Sequence, residues 1–436
     1  MSDAAKIKIL IVYERSGMGH EVMANILTKE ILQNGNFEII NYTITELLQD
    51  PLSELLTKAW VSAWNLFMRH NWIELADILI NYLMRLILLP IGEVSSVAAM
   101  HQTLDQIAPD ILICTADTAG KCLGSWAKEK QIPFFLVITD LSIFIDLVYP
   151  NATHICYFPE TANAVQSFPF TLTYWSYKLT RYTRLSEQIQ FIGRYLYDFV
   201  ICYPQNRIYR NIDRDYKPQN QARCEIIGPL RETKHFQIRE RKKLRDRFEL
   251  SATDTCILIV SGSFGGNFCV KYLKCLQNLF IDSLVVIVAC GRDENLRIKI
   301  EQIAGQKQNC KVRTPTVCET RMLGFVDNLD EWMSAVDIIL ARPSAGILLE
   351  AMLARTPLLL PKKAAANDRG AISFVEKYQL GECFSDRQDL NLKIRRLLDE
   401  KELYQNRIDA LLKKYPSTFE EQRANLCRIL LRSLES

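Results

Sequence analysis

"DIILARPSAGILLEAML" (residues 337–353) decides how this chain is built. Ile338, Ile339 and Leu340 follow an aspartate as a short apolar run and read as a buried strand. Ser344, Ala345 and Gly346 make a turn of small residues, and the apolar stretch after them has helical spacing and carries Glu350. Strand, tight turn and helix in that order form the repeating piece of a parallel α/β sheet. The N–H groups at such a helix start attract phosphate, and a glutamate one turn further on can accept hydrogen bonds from both hydroxyls of a ribose. The bland alternative is a surface glutamate on an ordinary helix.

The same grammar repeats outward. Upstream, "TCILIVSGSFGG" (255–266) is a strand followed by a glycine loop, in which Gly262, Ser263 and Gly265 offer backbone N–H groups suited to a diphosphate. "LVVIVACGRDENL" with Arg292, "RMLGFVDNL" with Phe325 and Val326, and "TPLLLPKKA" add further strand-turn pieces. In the first half, "KIKILIVY" (6–13) leads through "ERSGMGH" into a helical pattern over 21–33, and "FEIINYTI" begins at Phe37. "PDILICTAD" (109–117), "PFFLVITD" (133–140) and "HICYF" (154–158) continue the series. The expected division is an N-terminal α/β domain over 1–165, an insertion or linker over 166–223, a second α/β domain over 224–400 and a helical tail over 401–436. The 166–223 stretch is rich in Tyr, Arg and Asn and has no clear period.

Composition narrows the class. A chain of 436 residues with 48% hydrophobic and 24% charged content suits two folded domains. A formal charge of +3 gives no argument for nucleic acid, and none is expected as a partner. The 13 cysteines lie scattered in apolar runs without C-x-x-C spacing, which reads as buried thiols in a reducing cytosol and not as zinc ligands. The polar start of the chain runs straight into a strand, so no secretory signal is expected there. The apolar region over 60–91 is broken by Glu74, Asp77 and Arg85, so amphipathic helices are expected in place of a membrane span.

Two side chains near the ends of first-half strands are candidates for acid–base work. His20 opens a helix after Gly17 and Gly19, where a helix N-terminus favours the neutral imidazole that accepts a proton. Asp140 ends another strand and can orient His20 or act as base itself. A capping histidine and a turn-capping aspartate are the plain alternatives. A dinucleotide site is disfavoured, because no third glycine stands near Ala24 and the second strand ends without an acid.

The order of "SGMGH", "TDLS" (139–142), "IIGPL", "SGSFGG", "CGRDENL", "GFVDNL" and "EAML…TPLLL" resembles the monogalactosyldiacylglycerol synthase and diacylglycerol glucosyltransferase family. The peptidoglycan N-acetylglucosaminyl transferase is a more distant likeness. The resemblance implies the GT-B fold, two Rossmann-like domains facing across a cleft, with the acceptor bound by the first and a UDP-sugar by the second. It implies no cofactor and no metal, and inverting transfer of a hexose to a lipid hydroxyl such as that of diacylglycerol. It places His20 and Asp140 on the acceptor side as catalytic residues, Phe325 and Val326 at the uracil, and Glu350 on the ribose. It also implies a cytoplasmic enzyme held peripherally on an anionic membrane surface, with Trp60, Trp64, Phe67 and Trp72 at the interface.

The sequence departs from that family in four places. Ile347 stands where a phosphate-binding threonine is usual, Ser344 replaces a glycine, and Met18 replaces the middle glycine of the first loop. Asn367 and Asp368 take the place of a sugar-reading Gln-Glu pair. Besides lipid transfer, two other functions therefore remain open. One is another GT-B enzyme with a soluble or protein acceptor, or a UDP-sugar epimerase. The other is a nucleotide-sugar-binding protein that has lost catalysis.

Overall fold

The computed structural model describes residues 6–15, 19–33, 36–48, 51–70, 72–78, 99–116, 119–144, 147–149, 151–168, 221–262, 266–279, 281–308 and 318–435, with single positions at 185, 186, 189 and 193. The chain forms two units. The first comprises Met1–Trp64, Glu74–Glu232 and Thr418–Ser436, and the second Asn65–Ile73 and Thr233–Ser417.

The first unit holds β1 (Ile7–Tyr13), β2 (Phe37–Thr43), β3 (Ile111–Cys114), β4 (Phe134–Val137), β5 (Thr153–Cys156) and β6 (Arg223–Ile226). They lie in the order β2-β1-β3-β4-β5-β6, and every neighbouring pair is parallel. The second unit holds β7 (Thr255–Val260), β8 (Leu284–Ala289), β9 (Cys318–Leu323), β10 (Ile338–Ala341), β11 (Leu358–Pro361) and β12 (Gly381–Phe384). Their order is β12-β11-β10-β7-β8-β9, again all parallel. Parallel strands need crossover helices on both faces, so the inner strands, unlike the partly exposed edge strands β2, β6 and β9, are buried on both sides and read as nearly unbroken apolar runs. That is why the sequence pattern located them. β3, β4, β10, β11 and β12 are buried along their whole length.

Each sheet changes direction once. The chain goes from β1 outward to β2, returns to the other side at β3 and then proceeds to β6. In the second sheet it goes from β7 to β8 and β9, then returns at β10 and proceeds to β12. Loops leaving the carboxyl ends of strands at such a reversal turn apart, and the crevice they leave is where doubly wound sheets bind ligands. The pairs β1/β3 and β7/β10 are therefore the places that the topology itself marks.

Boundaries differ from the sequence expectation in three respects. The strand expected to open the second domain at Cys224 pairs in parallel with β5 and completes the first sheet. Part of the expected tail returns to the first unit. In the helix Phe419–Arg432, Gln422 donates to the Pro229 carbonyl at 3.0 Å and Arg423 to the Ile31 carbonyl at 3.0 Å. Residues Asn65–Ile73, expected within the first domain, belong to the second unit. Strand pairing and long-range docking leave no local periodicity, which explains all three.

The charged segment 239–248 has a structural use as well. Arg241 and Lys401 reach one oxygen of Asp337 at 2.6 Å each, while the Cys256 N–H at 2.8 Å and Arg245 at 3.4 Å meet the other. Burial works against ionisation of Asp337, yet Arg241 and Lys401 hold its carboxyl below the usual carboxylate range. The cluster ties the starts of β7 and β10 together beneath their reversal point. Gly381 is fixed by packing, since a Cβ there would come within 2.0 Å of the Leu358 carbonyl oxygen.

Candidate functional site

At the β1/β3 reversal the structure places His20. It is the second residue of the helix Gly19–Ile26 and is only 8% exposed. Its Nδ1 lies 2.5 Å from the carbonyl oxygen of Thr115, the residue after β3, and 3.1 Å from the Thr139 hydroxyl, two residues past β4. The Thr115 hydroxyl in turn donates to the His20 carbonyl at 3.0 Å. A carbonyl can only accept, so Nδ1 carries the proton and a neutral ring keeps its lone pair on Nε2. The imidazole is thus fixed in tautomer and orientation by buried partners. This arrangement is what a general base needs.

Asp140 follows Thr139 directly and is half-buried. Its charge is felt at the buried Tyr157 hydroxyl, which burial raises above its ordinary range, with the Arg231 guanidinium opposing and Asp140 adding to the rise. His20, Thr115, Thr139 and Asp140 therefore collect at the carboxyl ends of β1, β3 and β4. Gly19 begins the helix, and Gly17 lies outside the described residues.

The β7/β10 reversal is equipped differently. Gly262, just past β7, has φ +69°, a left-handed conformation that favours glycine. A Cβ built on it would lie 3.9 Å from Ile347 Cδ1, so the glycine loop faces the Ile347 side chain in the first turn of the helix Ala345–Leu353. Ser344 is the N-cap of that helix and accepts from the Ile347 N–H at 3.3 Å. Its hydroxyl thus engages one of the first-turn donors. The Ala345 and Gly346 N–H groups lie at the same positively polarised helix end, where an anion is favoured. Glu350 sits on the same helix and is half-buried. Ser263 and Gly265 lie outside the described residues.

Two further groups lie in the second unit. The Arg292 guanidinium, in the turn after β8, stacks over the Phe325 ring with 4.2 Å to its centroid, and Phe325 is 57% exposed just beyond β9. Val326 follows it, half-buried. Asn367 and Asp368 occupy a short helical turn before the helix Arg369–Tyr378. The buried Asn367 side-chain oxygen has no hydrogen-bond partner, and Asp368 faces Arg342 Nε at 3.7 Å. A cavity of about 30 Å³ lies beside them, lined by Arg342, Lys271, Ala365, Asp368, Met68 and Ile73 among others. Met68 and Ile73 are buried.

Of the aromatic residues expected at a membrane, Trp64 and Phe67 are half-buried and Trp72 is 47% exposed. Trp72 stacks on His70 at 4.9 Å between centroids and lies 6.0 Å from Phe67. The Trp60 side chain and residues 79–98 lie outside the described part. No helix among the described residues is long and apolar enough to cross a membrane. Among those residues, no three His, Cys, Asp or Glu side chains are grouped to hold a metal ion. Sequence reasoning missed Thr115, Thr139, Arg342 and Met68. Arg342 could have been noticed as the cation at the end of β10 and Thr139 as the first residue of "TDLS", but nothing local marks Thr115 or Met68.

No protein-family model matches the chain. Over 215 residues it is 21% identical to a processive diacylglycerol beta-glucosyltransferase of Bacillus pumilus, covering 46% of this chain and 53% of that protein. Over 203 residues it is 22% identical to the chloroplastic monogalactosyldiacylglycerol synthase of Spinacia oleracea, covering 42% of this chain and 37% of that one. The matched stretch thus spans about half or less of these relatives' length. Among solved structures, MurG of Acinetobacter baumannii superposes with a TM-score of 0.54 at 12% identity, over 92% of this chain and 93% of that one. HepE of Anabaena, solved with UDP and glucose, gives 0.51 at 13% identity over 98% and 100%.

Proposed function

We propose that this chain, whose fold is GT-B, is a glycosyltransferase that moves a hexose from a UDP-sugar to the hydroxyl of a lipid such as diacylglycerol, with inversion and without a metal ion. The observation that carries this is the unlike equipment of the two reversal points. One offers an oriented base and the other a helix start and glycine loop suited to phosphate. The relatives named for diacylglycerol and monogalactosyldiacylglycerol chemistry, and the neighbour that binds UDP and glucose, support the choice of substrates.

In this proposal the second unit holds the donor. Glu350 accepts from the ribose hydroxyls, and the backbone at Phe325 and Val326 holds the uracil beside Arg292. Asn367 and Asp368 hydrogen-bond the sugar. His20 Nε2 takes the proton of the acceptor hydroxyl while its oxygen attacks the anomeric carbon. The bond from that carbon to the diphosphate breaks, and UDP leaves with the electron pair. The Ala345 and Gly346 amides and the Gly262 loop stabilise the charge that grows on the diphosphate. Asp140 favours the imidazolium formed at His20. Trp60, Trp64, Phe67 and Trp72 meet an anionic bilayer on its cytoplasmic face, a reading supported by the more than 45% exposure of the nearby Leu66 side chain.

A second reading is a nucleotide-sugar-binding protein without turnover. It is favoured by Ile347, which supplies no hydroxyl to the phosphate and whose N–H is engaged by Ser344. The test is product formation from UDP-glucose or UDP-galactose with diacylglycerol in anionic vesicles. Transfer that disappears in His20→Ala and Asp140→Asn supports the enzyme. Binding of UDP with no product from any donor would favour the second reading, and failure to float with the vesicles would exclude the lipid acceptor.

A further inference from the structure

A second, larger cavity lies away from the β7/β10 reversal point, along β12, an edge strand of the second sheet. Its volume is about 190 Å³, against about 30 Å³ for the cavity beside Asp368. Lys362, Lys393, Arg396 and Arg407 line it together with only two carboxylates, Glu376 and Glu382. Four cations against two anions leave an excess of two positive charges around a small space.

The pairing within the lining sharpens that count. The Glu382 carboxylate accepts from the Tyr404 hydroxyl at 2.5 Å and is paired with Lys393 at 2.6 Å and Arg396 at 3.1 Å. Burial opposes its ionisation, but Lys393 and Tyr404 hold it below the usual glutamate range. Arg396 also reaches Glu400 at 3.4 Å. Glu382 is therefore committed. Lys362 and Arg407 pair with no carboxylate among the described residues. Arg407 is held over the face of the Tyr404 ring, 5.4 Å from its centroid, which pre-sets its position. A guanidinium fixed on a ring, an ammonium and a surplus of charge suit an anion with several oxygens.

We propose that this cavity binds a small ligand bearing a dianionic phosphate group, held by Arg407 and Lys362, at a site separate from the one assigned to the UDP-sugar. A phosphate fills only part of 190 Å³, so a phosphomonoester with a three-carbon or sugar body has room. The site does not depend on the proposed transfer reaction, because none of its lining residues belongs to the donor or acceptor groups described above.

The experiment is calorimetric titration of inorganic phosphate and of glycerol 3-phosphate into full-length protein already saturated with UDP, so that the donor's phosphate position cannot contribute. The expected dissociation constant is about 1 mM or tighter, corresponding to roughly 4 kcal/mol. Arg407→Gln and Lys362→Gln each weaken binding tenfold or more, while Glu376→Gln, which removes an opposing charge, tightens it severalfold. UDP affinity stays unchanged in all three variants. Tighter binding of glycerol 3-phosphate than of phosphate identifies a phosphomonoester as the ligand, and equal binding identifies free phosphate. Absence of binding at about 10 mM, or binding indifferent to all three substitutions, overturns the proposal.

Discussion

The two reversal points are the topological switch points of two six-stranded parallel sheets, yet they are built from different materials. At β1/β3 the working group is a side chain, and two polar contacts, with the Thr115 carbonyl and the Thr139 hydroxyl, fix its ring. At β7/β10 the working groups are backbone amides at a helix start, next to a glycine with left-handed backbone. Proton transfer needs one nitrogen aimed in one direction, so its partners must be buried and specific. Binding a diffuse dianion needs several weak donors and little side-chain definition. One consequence is that changes at the first point should abolish chemistry, whereas changes at the second should grade affinity.

The sharpest break in that comparison is His20→Ala. Loss of a positioned base is worth about 10²–10⁴ in rate, so turnover should fall by roughly a thousandfold while UDP still raises the melting temperature. A variant that retains more than a tenth of the activity would remove His20 from the chemistry.

Acid should also separate the two units. Burial pushes His154 of the first unit down to about 4, and its ring is held by the Tyr149 N–H and the Arg223 carbonyl. The folded state therefore binds fewer protons than the unfolded state between about pH 6.5 and 4. Stability of the first unit should fall across that window by about 3 kcal/mol. His101, lowered chiefly by burial, acts in the same direction. In the second unit, Asp337 and Glu382 are lowered instead, and their contribution is lost only as the pH drops below the ordinary carboxylate range. Hydrogen exchange followed by mass spectrometry from pH 7 to 4 should show protection lost first in β1 to β6. Simultaneous loss in both sheets would contradict this.

Smaller effects test the details. Thr139→Val removes one of the acceptors holding His20 Nδ1 and should lower turnover about tenfold, with the dissociation constant for UDP unchanged. Ile347→Thr places a hydroxyl at the helix start beside Gly262 and should tighten UDP binding by about tenfold, since one hydrogen bond to a charged group contributes about 1.5 kcal/mol at the low end. A loss of affinity in that variant would show that the phosphate does not reach the first turn.

Much of this was legible in the sequence. Strands such as 338–341 and 284–289 announce themselves because a parallel strand buried on both faces has to be apolar throughout. His20, Gly262 and Ser344 stood out as candidates because each lies in or beside the turn that follows a strand, and Glu350 because it lies on the helix that Ser344 caps. What stayed hidden was pairing over distance. Thr115 and Thr139 lie 95 and 119 residues from His20 and look like ordinary strand-end threonines. β6 reads as the first strand of the second half because the β5 that it joins is separated from it by the weakly patterned region after 168. Met68 and Ile73 carry the apolar signature of any amphipathic helix, and nothing in that signature says which surface will cover them.

The central claim is that the donor belongs to the second unit through Glu350, while His20 serves only the acceptor. Calorimetric titration of UDP into the unaltered chain, Glu350→Ala and His20→Ala tests it most directly. The account predicts that Glu350→Ala weakens UDP binding by about tenfold to a hundredfold, the worth of hydrogen bonds to a charged group, and that His20→Ala binds UDP like the parent. Equal affinity in parent and Glu350→Ala, or an equal loss in both variants, would contradict it.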